Sequence, residues 1–161
     1  MTKHLNSRRL ESSGFTLVEL MIVVVIVAIL ASIAVPAYNA QIRKSRRTDA
    51  KTALLDLAGR EERYYDANPS TGYTNVTANL GYTPTIPAIT NYTIGSGYYT
   101  VTVTPTAAVP TTTPPTPATY AIVATAIGDQ AKDSCSTYTL TSTGQQTATG
   151  SDPNPSVDCW K

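Results

Sequence analysis

The sequence predicts an α+β chain: a long N-terminal α-helix whose outer half packs on a small antiparallel β-sheet, followed by a C-terminal loop that Cys135 and Cys159 close if they are bonded. Three observations predict it. Residues 15–34 form a run of twenty positions with a single charge, Glu19. From residue 50, Ala53, Leu54, Leu57, Ala58, Tyr64 and Tyr65 recur with helical spacing, while Lys51, Asp56, Arg60, Glu62 and Arg63 fall mostly elsewhere. Further on, three short runs rich in Val, Thr, Tyr and Ile carry strand patterns.

At about 1.5 Å of rise per residue, twenty helical residues span roughly 30 Å, the thickness of a bilayer's hydrocarbon core. A carboxylate at the centre of such a helix costs about 2.5 to 3.5 kcal/mol, and less near its end, so Glu19 needs a partner. A cut between Gly14 and Phe15 would create one: the new α-amino group lies four residues before the carboxylate, on the same chain or on a neighbour packed alongside. Two other readings stay open. One is a secretory signal peptide with Lys3, Arg8 and Arg9 as its basic end and Ser32-Ile33-Ala34 as its cleavage site. Such an apolar region normally runs about 7 to 15 residues, whereas this one is longer and holds an acid near its start. The other is an uncut membrane anchor.

Gly14-Phe15-Thr16-Leu17-Val18-Glu19 followed by an unbroken apolar run resembles the processing signature of type IV prepilins. The resemblance implies the pilin fold and cleavage after Gly14 by a membrane-embedded prepilin peptidase. It further implies N-methylation of Phe15 and retention of the apolar helix, with Glu19 paired to another subunit's amine during assembly. Residues 1–14 are then the leader, 15–36 the transmembrane and filament-core helix, and 37–161 the head with the outer half of the helix. The implied partners are other pilin subunits, the prepilin peptidase, the inner membrane and the pilus assembly machinery. The implied location is the inner membrane with the head in the periplasm, then an extracellular pilus serving motility and adhesion.

The helix continues past the membrane and meets stop signals at Asn68-Pro69 and Gly72. Pro36 lies inside it, removing one backbone hydrogen bond and clashing with the carbonyl of Ser32, so a kink or a locally unwound turn is expected. The resemblance implies lost helicity over residues 28–36 in the filament. Many relatives have glycine where this chain has Ala28, which leaves the extent of unwinding open. Arg43, Lys44, Arg46 and Arg47 form either a solvated helix face or a contact for lipid headgroups and acidic neighbouring heads. They compete with Lys3, Arg8 and Arg9 under the positive-inside rule, so charge alone does not fix topology. Cys135 and Cys159 make sense as a disulfide outside the cytoplasm, and the prepilin resemblance implies the same placement.

Residues 69–97 read as a long connection with little regular structure. Strands are expected at residues 98–103, 120–124 and 138–141, forming a meander on the helix stripe. Residues 104–119 hold Pro105, Pro110, Pro114, Pro115 and Pro117 and read as extended, solvated backbone. A bond between Cys135 and Cys159 would contribute roughly 3 kcal/mol by loop closure. Two cysteines without histidine are too few for structural zinc. Asp129 and Asp133, four apart, offer at most weak calcium ligation and otherwise a solvated pair. No metal or cofactor is expected. Asp133-Ser134-Cys135, then Tyr138-Thr139-Leu140-Thr141-Ser142-Thr143-Gly144, then Cys159-Trp160 resemble the PilE-like and ComP-like branch of minor pilins.

Composition narrows the function classes. The 161 residues include 12 Lys plus Arg, 11 Asp plus Glu and one histidine, His4. With the leader removed no histidine remains, and paired cysteines leave no thiol, so Ser-His and Cys-His nucleophiles cannot be built and no enzyme is expected. Residues 49–161 carry five basic against nine acidic residues, which disfavours binding of nucleic acid by the head. Some ComP-like minor pilins take up DNA through a basic strip, so a DNA-binding minor pilin, with Lys132 and Lys161 as the cations to test, is one alternative. A pseudopilin of a type II secretion system is the other.

Overall fold

The computed structural model of the chain describes residues 14–82, 89–94, 97–111 and 116–161. Lys3, His4, Arg8, Arg9, Pro114 and Pro115 lie outside the described residues. Helix α1 runs from Leu17 to Ala67, 51 residues with Pro36 inside it. The chain divides into two compact units, Met1–Asn39 and Ala40–Lys161.

In the first unit α1 is helical without interruption through residues 28–36, so the single chain shows no unwound turn there. Its start is set by Thr16. The Thr16 hydroxyl accepts the N–H of Glu19 at 3.2 Å and its carbonyl accepts that of Leu20 at 3.2 Å. Thr16 therefore caps the helix by satisfying one of its orphan donors. Gly14 and Phe15 remain outside the helix.

In the second unit the outer part of α1 buries Ala50, Leu54, Leu57 and Glu61, spaced four, three and four residues apart along one face. Five strands follow as an antiparallel meander in the order β1 to β5: Tyr92–Ile94, Tyr99–Thr106, Thr119–Ala126, Thr137–Thr141 and Gln146–Thr149. The three central strands match the expected runs. β1 and β5 were not expected; β1 lies inside the stretch read as an irregular connection. Both are short edge strands held by pairing, β1 on β2 and β5 on β4.

The alternation of side chains sorts the sheet into two faces. Tyr99, Val101 and Val103 of β2, Tyr120, Ile122, Ala124 and Ala126 of β3, Tyr138 and Leu140 of β4 and Ala148 of β5 are buried together with the α1 stripe. β2 also runs further than the sequence indicates, through Pro105, which lies opposite Tyr120. Proline is tolerated there because β1 pairs only with Tyr99, Thr100 and Val101, leaving the other side of β2 without a ladder partner in β1 at residue 105. A single bridge, Val109 to Thr116, continues the hairpin.

Cys135 and Cys159 form a disulfide, with Cα atoms 5.9 Å apart. It ties the segment before β4 to the end of a short helix α2, Pro155–Asp158. Trp160 meets Tyr138 edge to face at 5.7 Å, and its indole N–H donates to the Thr147 carbonyl at 2.9 Å. The Ser156 hydroxyl accepts the N–H of Ala148 at 3.3 Å. The C-terminal segment thus covers part of the β5 edge that the sheet leaves open.

Candidate assembly site

Among the described residues of its own unit, the apolar arm has no partner surface. Phe15, Leu17, Val18, Leu20, Met21, Ile22, Val23, Val24, Val25, Ile26, Val27, Ile29, Leu30, Ile33 and Val35 are all more than half exposed. A contiguous apolar surface of this extent marks a membrane or protein contact. The helix is long and apolar enough to cross a membrane by length and composition. Glu19 is exposed among these residues, in the first turn of α1. Thr16 and Glu19 stand three apart, the spacing of a capping box. The Thr16 half of that box is formed, since its hydroxyl takes the Glu19 N–H. The sequence offers Glu19 the amine of Phe15 as partner, on the same chain or on a neighbouring subunit; the T-x-x-E spacing is the further signal for its local setting. Glu19 lies four positions after Phe15, and the Ser32 hydroxyl donates to the carbonyl of Ile29, three positions before it, at 2.7 Å.

The basic cluster is not simply a solvated face. Arg47 makes a two-pronged ion pair with Asp133, 2.7 and 2.9 Å, and a 2.9 Å hydrogen bond to the Ser134 hydroxyl. Both partners of this pair are largely buried. Its hydrogen bond to Asp133 holds the Arg47 guanidinium charged beyond its ordinary range, although burial opposes this. Arg43 lies 3.2 Å from Asp129, and the Arg46 guanidinium stacks 3.6 Å over the Tyr98 ring. Lys44 remains exposed. Asp129 and Asp133 are thereby engaged by cations, Asp129 also by Lys132 at 3.2 Å.

These contacts anchor the segment that leads into Cys135 to α1. Buried Gln130 adds to them, donating to the Arg43 carbonyl at 2.9 Å and to the Tyr99 hydroxyl at 3.0 Å. Burial pushes the Tyr99 hydroxyl up to about 12. Because the cluster belongs to the second unit, that unit carries nine basic and nine acidic residues. It is neutral overall, where the shorter span 49–161 is acidic.

Glu61 was missed by sequence reasoning. It sits fully buried on the apolar stripe of α1, one carboxylate oxygen accepting the Thr74 N–H at 3.0 Å, the other without a partner among the described residues. Burial raises its pKa to about 7, with neighbouring Glu62 contributing and the Thr74 bond opposing. The helical register was the available signal, since residue 61 follows Ala50, Leu54 and Leu57 on one face. Glu62 faces the connection differently, accepting the Tyr73 hydroxyl at 3.2 Å.

A second pair, Asp56 and Tyr82, borders an apolar cavity of about 210 Å³ between α1 and β1, lined also by Leu57, Ile89, Tyr92 and Val101. The Tyr82 hydroxyl donates to Asp56 at 2.7 Å, which with Arg60 holds that carboxyl below its ordinary range. Cys135, Asp152 and Cys159 lie together, but the two sulfurs are consumed by the disulfide and cannot ligate a metal.

Comparison with known proteins places these features in context. Residues 36–139 match the family described as "Type IV minor pilin ComP, DNA uptake sequence receptor", and residues 10–35 match the prokaryotic N-terminal methylation motif. The chain is 35% identical over 74 residues to the type IV major pilin protein PilA of Myxococcus xanthus, covering 46% of this chain and 33% of that protein. It is 44% identical over 52 residues to fimbrial protein EcpC of Eikenella corrodens, covering 32% and 34%. It is 43% identical over 67 residues to the type IV major fimbrial protein FimA of Dichelobacter nodosus, covering 37% and 42%. The chain thus spans about a third to two fifths of the length of these curated relatives.

Proposed function

The chain belongs to the ComP family of type IV minor pilins, and from that premise we propose that it is a structural, non-enzymatic subunit of a type IV pilus. It enters the inner membrane through residues 15–36 with its head in the periplasm. Prepilin peptidase removes residues 1–14 at the Gly14–Phe15 bond and methylates Phe15. The observation that carries this reading is the coincidence, within residues 10–35, of the methylation motif with an exposed apolar helix that holds one acid. The non-helical conformation of Gly14 and Phe15 supports it too, since a peptidase needs the scissile bond outside a helix.

Assembly transfers the apolar arm from bilayer to filament core. The surroundings are apolar on both sides, so the cost of transfer is small, and Glu19 gains the amine of Phe15 on a neighbouring subunit. Loss of helicity over residues 28–36 belongs to the assembled state in this account, with Pro36 as its cause. Other pilin subunits and the assembly machinery are the partners. Glu19→Ala tests the pairing: membrane insertion is retained and incorporation into filaments is impaired, whereas normal incorporation refutes the role of the carboxylate.

DNA binding is the second reading, favoured by the printed description of the matching family. The balance of charge in residues 40–161 lends it no support, and Arg43 and Arg47 are already engaged by Asp129 and Asp133. Retardation of DNA by the protein at physiological salt, abolished by charge reversal at Lys132 or Lys161, would establish it. Recovery of the subunit in cell-surface filaments separates both readings from a secretion pseudopilin.

A further inference from the structure

The sheet face turned away from α1 carries a lattice of threonines. Its pairing register aligns one threonine from every strand in a single row: Thr93 opposite Thr100, Thr100 opposite Thr125, Thr125 opposite Thr137, and Thr137 opposite Thr149. Two positions along, a second row runs Thr102, Val123, Thr139, Thr147, and a third runs Thr104, Ala121, Thr141. Ten of these twelve positions are threonine, and all twelve are partly or fully exposed. The backbone positions that carry these side chains are spaced about 4.8 Å across strands and about 6.7 Å along them.

No charged residue occurs in any of the five strands. Every Lys, Arg, Asp and Glu of residues 40–161 lies in α1, at residues 129–133 or after residue 150. A sheet face that serves only to be wet ordinarily carries Lys, Glu or Arg, which also guard its edges. This face carries none.

We propose that the threonine lattice docks the surface of an insoluble, uncharged polysaccharide. The chemistry selects that partner over others. Nucleic acid and anionic lipid need cations, and the strands offer none. A protein partner needs large buried anchors, and the largest apolar side chain in the three rows is Val123. A neutral polysaccharide presents hydroxyls between C–H patches at intervals of a sugar unit. Threonine matches both, with a hydroxyl that donates and accepts beside a methyl group. Its stiff β-branched side chain is already ordered in a strand, so little freedom is lost on docking. Among the described residues, the Thr93, Thr100, Thr104, Thr125, Thr139 and Thr147 hydroxyls have no intramolecular hydrogen bond, whereas Thr137 bonds Thr149 and Thr141 bonds Thr143. This docking goes beyond the pilus-subunit reading and does not depend on filament assembly.

The test uses the full chain in an uncharged detergent without a sugar headgroup, co-sedimented with microcrystalline cellulose and with chitin powder. The expected result is saturable retention on at least one of them, unchanged between low and high salt. Thr100→Val with Thr125→Val keeps shape and strand propensity while removing two adjacent hydroxyls. It is expected to weaken apparent binding by at least about tenfold, the loss of one to two hydrogen bonds. Thr125→Lys should weaken it similarly, and each variant should keep the wild-type unfolding midpoint. Three results would overturn the proposal: no sedimentation with either polysaccharide, retention that salt abolishes, or full retention by the valine pair. Equal retention on phenyl-coated beads overturns it as well, because the apolar arm would then be the adhesive.

Discussion

Replacing Glu61 by glutamine isolates a single buried ionisable group. The folded carboxyl is pushed up to about 7, from an ordinary value near 4.5, because burial, aided by neighbouring Glu62, outweighs its one hydrogen bond from Thr74. Below both values the carboxyl is protonated in folded and unfolded chains, and its titration costs nothing. As pH rises between about 4.5 and 7, the unfolded chain releases the proton and the folded chain retains it, so stability falls across that window. At about 1.36 kcal/mol per unit, the loss amounts to about 3 kcal/mol and is complete above the folded value. Glutamine cannot ionise, yet it keeps an oxygen to accept the Thr74 N–H. Its added amide protons need an acceptor, so at pH 5 the variant should match the wild type or fall slightly below it. At pH 8 it should be the more stable by about 2 to 3 kcal/mol. Chemical denaturation of the full chain in uncharged detergent, followed by near-ultraviolet circular dichroism of the tyrosines, measures both. Comparing the two proteins at each pH cancels every other titrating group. Parallel stability profiles from pH 5 to 8 would refute the reasoning, since Glu61 would then pay no burial cost when ionised.

Two further predictions concern the disulfide-closed region. A Cβ built on Gly150, whose φ is +154°, would lie 1.9 Å from the Ser134 carbonyl oxygen, so Gly150→Ala forces backbone apart and should cost about 3 kcal/mol in denaturation; an unchanged midpoint contradicts that close approach. Reduction of Cys135–Cys159, which are 24 residues apart, should lower stability by about 3 kcal/mol by restoring freedom to the unfolded loop, and identical unfolding of oxidised and reduced protein contradicts a structural role.

The features legible in the sequence were those with a local pattern. The alternation of Val and Thr in β2 and the compact apolar run in β3 placed the central strands, and a single cysteine pair placed the covalent closure. β1 and β5 carry no such pattern: Tyr92-Thr93-Ile94 and Gln146-Thr147-Ala148-Thr149 are strands because β2 and β4 offer them ladders. The partners of the basic cluster were equally invisible, since Arg43 and Arg47 find Asp129 and Asp133 across 86 positions of chain. Glu61 defeats a rule of composition, because a carboxylate normally marks the solvent side of a helix, and only its register with Leu54 and Leu57 betrays its burial. Of the candidate assembly site, the arm, its lone acid and the Gly14-Phe15 pair proposed for cleavage are all readable from Gly14 to Val35. The cap at Thr16 is readable as well from its spacing to Glu19.

The central claim is that an apolar arm survives processing and holds the subunit in a filament. Mass spectrometry of the N-terminus of protein recovered from sheared surface filaments measures cleavage, methylation and location together. The account predicts a chain that starts at Phe15 and carries one added methyl group on its amine. A mature chain that starts beyond Ala34, or a subunit that is missing from the sheared filaments and recovered only as a soluble monomer, would contradict it.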